Sequence, residues 1–184
     1  SMAKIMTAYI VFDRLQEGSL SLDDRFVVSK NAWQKGGSRT FLKLNSEVTI
    51  SDLLMGLIVQ SGNDAAIVLA EGIAGSEEDF ALQMNQYANS LEMNNTYFTN
   101  STGWPHEDLK TTAYDLIILT EALINNFPKF YKLFVEKEFT FNNIRQPNRN
   151  PLLIGRYKVP GTDGLKTGHT NESGYGLIGS VLRQ

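Results

Sequence analysis

The sequence predicts an α+β fold, a helical cluster packed on an antiparallel sheet. Apolar residues recur at helical spacing through most of the chain, whereas strand-like alternation gathers at the C-terminal end. No internal repeat and no low-complexity linker divides the 184 residues, so a single domain is expected over 1–184.

Ile5, Met6, Tyr9, Phe12 and Leu15 give one apolar face to a helix over residues 2–15, and Gly18 is its stop. Phe26-Val27-Val28 is a short strand candidate. Lys35-Gly36-Gly37-Ser38 is a flexible loop, at most a cleft wall. Thr49-Ile50-Ser51-Asp52 reads as a capping-box variant ahead of Leu53, Leu54, Leu57 and Ile58, in a helix that ends near Gln60. Ser61-Gly62-Asn63 breaks that pattern, and Asn63 is placed to cap a helix over 64–73 that Gly72 and Gly75 close. Ser76-Glu77-Glu78-Asp79 starts a third helix, with Phe80, Met84, Tyr87 and Leu91 on one side.

Residues 96–98 are extended and 100–105 form a loop. Thr111 or Thr112 begins an amphipathic helix with Leu116, Ile117, Leu119, Leu123 and Ile124 inward, and Pro128 starts a short one. From Glu138 the pattern turns to strand, Phe139 and Phe141 alternating with Thr140. Gly161-Thr162-Asp163-Gly164 reads as a turn. Residues 165–170 and 175–182 read as two strands joined by Asn171-Glu172-Ser173-Gly174. Two or three strands make a thin sheet for so many helices. Together with a start at Ser1, this leads us to expect a chain cut at both ends.

Composition excludes several kinds of chemistry. Net charge is −3 with no basic tract, so no nucleic-acid partner is expected. There is no cysteine, hence no disulfide, thiol nucleophile or cysteine–metal site. His106 and His169 are the only histidines and no His-Glu-x-x-His occurs, so neither a metal nor another cofactor is expected. No apolar run approaches the roughly 20 residues of a membrane span.

Three short segments carry the chemistry that remains. Ser1 and Lys4 lie three apart at a helix start and therefore face the same side. A serine hydroxyl is a poor nucleophile until a neighbouring base takes its proton, and lysine is a base only when neutral. Burial and a second cation both favour the neutral amine, and Lys166 can be that cation. Taken singly, the segments read as an N-cap serine with a solvated lysine, a turn with a helix cap, and a strand end. Taken together, Ser1-Met2-Ala3-Lys4, Ser61-Gly62-Asn63 and Lys166-Thr167-Gly168 stand in the order and contexts of the motif set of penicillin-recognising serine enzymes.

SMAKIMTAY, IVQSGNDAA, KEFTFNNIRQPNRNPLL and DGLKTGHTNESGYGLIGS resemble the D-alanyl-D-alanine carboxypeptidases, the low-molecular-mass penicillin-binding proteins, along nearly the whole chain. The resemblance implies a β-lactamase/transpeptidase-like catalytic domain that removes the terminal D-alanine of peptidoglycan pentapeptide through an acyl-serine intermediate. It implies Ser1 as nucleophile, Lys4 as its base, and Ser61, Asn63 and Lys166 completing the catalytic set. Thr167, Gly168 and His169 would bind substrate, with the backbone N–H groups of Ser1 and His169 as oxyanion hole.

The implied partners are stem peptides ending in D-Ala-D-Ala, and β-lactams as covalent inhibitors. The implied location is periplasmic or otherwise extracytoplasmic, with inner-membrane association only through segments absent from these residues. A basic residue that the family sets near the substrate carboxylate would lie beyond Gln184. Two rival classes stay open: a related serine β-lactamase or esterase, and a non-catalytic peptidoglycan-binding relative.

Other features have plainer readings. Glu121-Ala122-Leu123-Ile124-Asn125 resembles a deacylation motif of class A β-lactamases, but in an amphipathic helix Glu121 and Asn125 read as a solvated pair four apart. His106 reads as a loop histidine. Trp33 and Trp104 are equally suited to packing and to a cleft wall. Glu77-Glu78-Asp79 reads as charge at a helix N-terminus, not as a metal site.

Overall fold

Helix α1 (Ala3–Glu17) is the axis of the molecule, because it is buried on every side: each residue from Ala3 to Phe12 is shielded from solvent. The computed structural model describes residues 1–183. After α1 come β1 (Arg25–Val27), α2 (Lys30–Gln34), β2 (Glu47–Thr49), α3 (Ile50–Val59), α4 (Asn63–Ala74) and α5 (Glu77–Ser90). Then follow α6 (Ala113–Asn126), α7 (Pro128–Tyr131), a 3₁₀ turn (Lys132–Val135), and strands β3 (Glu138–Phe141), β4 (Ile144–Pro147), β5 (Thr162–Thr170) and β6 (Gly174–Val181).

The helix starts obey side-chain capping where the sequence placed it. Thr49, Ser76 and Thr112 accept hydrogen bonds from the backbone N–H of Asp52, Asp79 and Asp115. Asn63 does not cap. Gly62 occupies that position without a side-chain bond, and Asn63 is the first residue of α4. Its amide is directed to the site described below, which competes with the local capping geometry.

Helix α4 packs against α1, α2, α3 and α5, so Ala65 to Ala70 lie at the centre of the core. Phe12 of α1 sits among Phe127, Phe130 and Phe134, with ring centroids 5.4–6.2 Å away. Ile117, expected inward, is 53% exposed, because α6 meets the core through Leu116, Leu119 and Leu123.

The strands form three separate antiparallel pairs, β1–β2, β3–β4 and β5–β6. The β5–β6 ribbon is the longest, with Lys166 opposite Ile178 and His169 opposite Tyr175. The expected turn at 161–164 lies mostly within β5. Its turn-rich composition is accommodated by a bulge between Thr162 and Gly164, which keeps the ladder running. α2, β2 and β4 are additions to the sequence reading. Each is five residues or shorter, too short for periodicity to register.

Candidate active site

The fold draws the three sequence segments into one closed cluster. Lys4, the second residue of α1, is 1% exposed. Its Nζ donates to Asn63 Oδ1 at 2.7 Å and to the Thr102 carbonyl at 2.7 Å. Lys166, on β5, is also buried. Its Nζ donates to Ser61 Oγ at 2.9 Å and to the Thr167 carbonyl at 2.7 Å. The third side of the cluster is steric: a Cβ on Gly168 would lie 3.3 Å from Cβ of Ser1, so β5 passes directly over the serine.

Ser1 and Lys4 share the first turn, with the Lys4 N–H reaching the Ser1 carbonyl at 3.3 Å. The hydrogen bonds of Lys4 Nζ nevertheless run to Asn63 and Thr102. Both partners are pure acceptors. A neutral lysine has two N–H bonds and one lone pair, so these contacts use both N–H bonds and leave the lone pair for a proton. Burial pushes the Lys4 ammonium well below its ordinary value, and the charges of Lys166 and Arg149 push the same way against Asp64 and Glu77. Lys166 is lowered to about 7, by burial first and Arg149 second.

Local backbone explains how these side chains arrive. Ser61 has φ +57°, a left-handed conformation for a residue with a Cβ, where α3 yields to α4. The turn is locked by the Gly62 N–H on the Gly56 carbonyl at 3.0 Å. A Cβ on Gly62 would collide with Thr40 Oγ1, so glycine is required for the loop before β2 to close over it. Asp64 holds that loop. Its carboxylate accepts the N–H of Thr40 at 2.8 and 3.0 Å and that of Leu42 at 3.2 Å. The Asn63 amide donates to the Gly36 carbonyl at 2.8 Å, which makes the Gly-Gly loop a cleft wall.

The opposite wall is the 100–105 loop. Asn100 Oδ1 accepts from Thr102 Oγ1, Gly103 N and Trp104 N at 2.8–3.0 Å. Glu77 accepts from Ser101 N and Oγ at 3.1 and 2.6 Å, so this carboxylate anchors a loop besides charging a helix start. Trp104 lies at the mouth, with Lys35 Nζ 4.6 Å from its ring centroid, and so bridges the two walls.

Three hollows meet at Ser1, the most voluminous of them, about 780 Å³, running past Phe98, His106 and Leu109. A second, about 580 Å³, is lined by Ser61, Arg149, Thr167, Gly168 and His169. The third, about 350 Å³, is lined by Asn63, Trp104, His169 and Thr170. Arg149 was not among the residues singled out from sequence: a lone arginine in a polar loop carries no spacing signal. It is exposed and its Nη1 donates to Ser38 Oγ at 2.6 Å. The cleft thus has a guanidinium supplied from within residues 1–184.

His106 is an exposed loop residue, Trp33 is 41% exposed on α2, and Glu121 and Asn125 are exposed on α6. Among the described residues no group of His, Asp and Glu side chains could hold a metal ion.

A family model described as D-alanyl-D-alanine carboxypeptidase, Peptidase S11, matches residues 1–184. D-alanyl-D-alanine carboxypeptidase DacC of Escherichia coli (strain K12) is 44% identical over 189 residues, covering 100% of this chain and 47% of the relative. The chain therefore spans about half the length of the curated relatives it matches. The crystal structure of the carboxypeptidase DacD from Francisella tularensis superposes with a TM-score of 0.96 at 33% identity, over 100% of this chain and 56% of that one. Penicillin binding protein 5 from Haemophilus influenzae gives 0.94 at 40% identity, over 100% and 54%.

Proposed function

The chain belongs to the D-alanyl-D-alanine carboxypeptidase family, and from that premise we propose that it is the catalytic part of a serine-type D-Ala-D-Ala carboxypeptidase acting outside the cytoplasm. The observation that carries the reading is the closed cluster around Ser1: Lys4 bonded to Asn63, Lys166 bonded to Ser61, and β5 lying over the serine.

In this account Ser1 Oγ attacks the carbonyl carbon of the penultimate D-alanine while its proton passes to the lone pair of Lys4 Nζ. The negative charge on the carbonyl oxygen faces the backbone N–H groups of Ser1 and His169. The C–N bond then breaks. The departing amine takes that proton from Lys4 Nζ through Ser61 Oγ, which accepts a hydrogen bond from Lys166 Nζ, and Lys4 is neutral again. Water attacks the resulting ester, gives its proton to Lys4, and Ser1 regains its hydroxyl as the acid leaves.

Arg149 and Thr167 receive the carboxylate of the leaving residue in the 580 Å³ hollow. The rest of the stem peptide extends along β5, whose only strand partner among the described residues is β6, leaving the other edge for an added strand. Asn63, in the smallest hollow, holds the substrate amide. β-Lactams acylate the same serine. Glu121, exposed on α6, offers no base for rapid hydrolysis of that ester, so penicillins act as inhibitors. No helix among the described residues is long and apolar enough to cross a membrane.

Incubation with an acylated tripeptide ending in D-Ala-D-Ala tests the reading. Free D-alanine should appear with the protein and not with Ser1→Ala. Its absence with the unaltered protein under conditions where it is folded and binds a labelled penicillin would remove the peptidase assignment.

A further inference from the structure

Asn148 and Asn150 lie outside the three motif segments, and the proposed reaction uses neither side chain. Both are buried, at 8% and 2% exposure, in the polar connection between β4 and β5. Asn148 Nδ2 donates to the Glu136 carbonyl at 2.8 Å, its backbone N–H reaches the Lys137 carbonyl at 2.7 Å, and its Oδ1 accepts the Asn150 N–H at 2.9 Å. Asn150 Nδ2 donates to the Gly164 carbonyl at 2.9 Å, and its Oδ1 accepts the Leu152 N–H at 3.0 Å. Between these two buried amides stands Arg149, exposed to the cleft.

We propose that Asn148 and Asn150 are positioning residues that form a clamp, fixing the Arg149 guanidinium at a set distance from the Lys166 strand. One arm ties the loop to the segment after the 3₁₀ turn. The other ties it to β5 two residues before Lys166. Both arms act on backbone carbonyls, so the Cα positions of Arg149 and Lys166 are set by one network. Gly164 is confined from its other side by Tyr131, whose hydroxyl occupies the place of a Cβ. Tyr131 is itself bonded to Ser180, which donates to Asp163 at 2.8 Å. Losing the Asn150 amide leaves a buried carbonyl without a donor, and the strand must shift to reach another.

The inference rests on the reading of Arg149 as the receptor of the leaving residue's carboxylate. The test compares an acylated D-Ala-D-Ala peptide with the same peptide carrying a C-terminal amide, following D-alanine or D-alanine amide release. In Asn150→Ala, kcat/KM for the carboxylate should fall about tenfold relative to that for the amide, the scale of one charge-assisted contact. In Arg149→Ala the same discrimination should be lost, and adding Asn150→Ala to it should lower the ratio no further.

Equal loss on both peptides, or an additive loss in the double variant, overturns the clamp. Should Asn150→Ala not fold, Asn148→Ala keeps the Gly164 bond and must still shift the ratio; an unchanged ratio overturns the clamp. An unaltered ratio in Arg149→Ala strikes the reading of Arg149, and with it the clamp. Failure of the unaltered protein to release either product strikes the peptidase assignment.

Discussion

The cleft has two walls of different construction. The helical wall, with Lys4 and Asn63, is part of the apolar core: Met6, Ile10, Phe12, Ile67 and Leu69 around it are fully buried. The strand wall, with Lys166, Thr167 and Gly168, belongs to a ribbon whose partner strand is largely exposed, Tyr175 at 89%. Leu165 and Ile178 anchor it to the core, and polar bonds hold the rest: Asn150 to Gly164, Tyr131 through Ser180 to Asp163, and Lys166 to Ser61. The proposed base, Lys4, is thus set in the stiff half, and Lys166 in a half that hydrogen bonds orient. Packing excludes water and favours the neutral form of Lys4, while directional bonds set the angle of the strand proposed to receive substrate.

Substitutions on each side should separate these roles. The largest effect is expected from Lys4→Ala, which should slow acylation by a β-lactam by about 10²–10⁴-fold, the range of a general base. Folding should persist, because removing a buried, easily deprotonated amine also removes its desolvation cost. Acylation at the unaltered rate would take Lys4 out of its role.

Phe12→Ala probes the same wall without touching the chemistry. Emptying its place among Phe127, Phe130 and Phe134 should cost about 3–5 kcal/mol in chemical denaturation. The variant that remains folded should still acylate at a similar rate. A small stability change would contradict the view that the aromatic cluster holds the helical wall.

The third effect is smaller and lies on the strand wall. Lys166 titrates at about 7 when folded, against 10.5 ordinarily. Below about 7 both folded and unfolded chains hold the proton, and the cost of burying the charge is present in full. Between about 7 and 10.5 only the unfolded chain holds it, so stability rises with pH across that window. The denaturation midpoint should therefore climb from pH 7 to 9.5, and Lys166→Met should flatten part of the climb. Lys4, lowered for the same reason, adds to the climb, as does the buried Ser1 amine in its lower part. A midpoint that falls over this range would show that the two lysines are not desolvated.

Much of this architecture was legible in the sequence because local signals and tertiary packing agree. Thr49, Ser76 and Thr112 cap where capping chemistry puts them, and the apolar faces of α1, α3 and α4 are buried. Where the two levels conflict, the residues serve the cleft. Asn63 has the composition of a cap but turns its amide to Lys4 and Gly36. Gly161-Thr162-Asp163-Gly164 has the composition of a turn but carries a bulged ladder that Asn150 and Tyr131 pin.

Arg149 and Glu77 could not be found by spacing. The first becomes a cleft group only when the β4–β5 connection folds over β5, and the second reaches Ser101 across 24 residues of sequence. The motif segments were visible together because each is a compact run of residues, whereas their mutual hydrogen bonds, Lys4 to Asn63 and Lys166 to Ser61, exist only in three dimensions.

Together these segments are proposed to make Ser1 an acyl-accepting nucleophile. Intact mass spectrometry after incubation with benzylpenicillin, followed by peptide mapping, tests it directly. One stable adduct per chain is expected, located on Ser1 and absent from Ser1→Ala. An adduct on another residue, or labelling that survives Ser1→Ala at full stoichiometry, would contradict it.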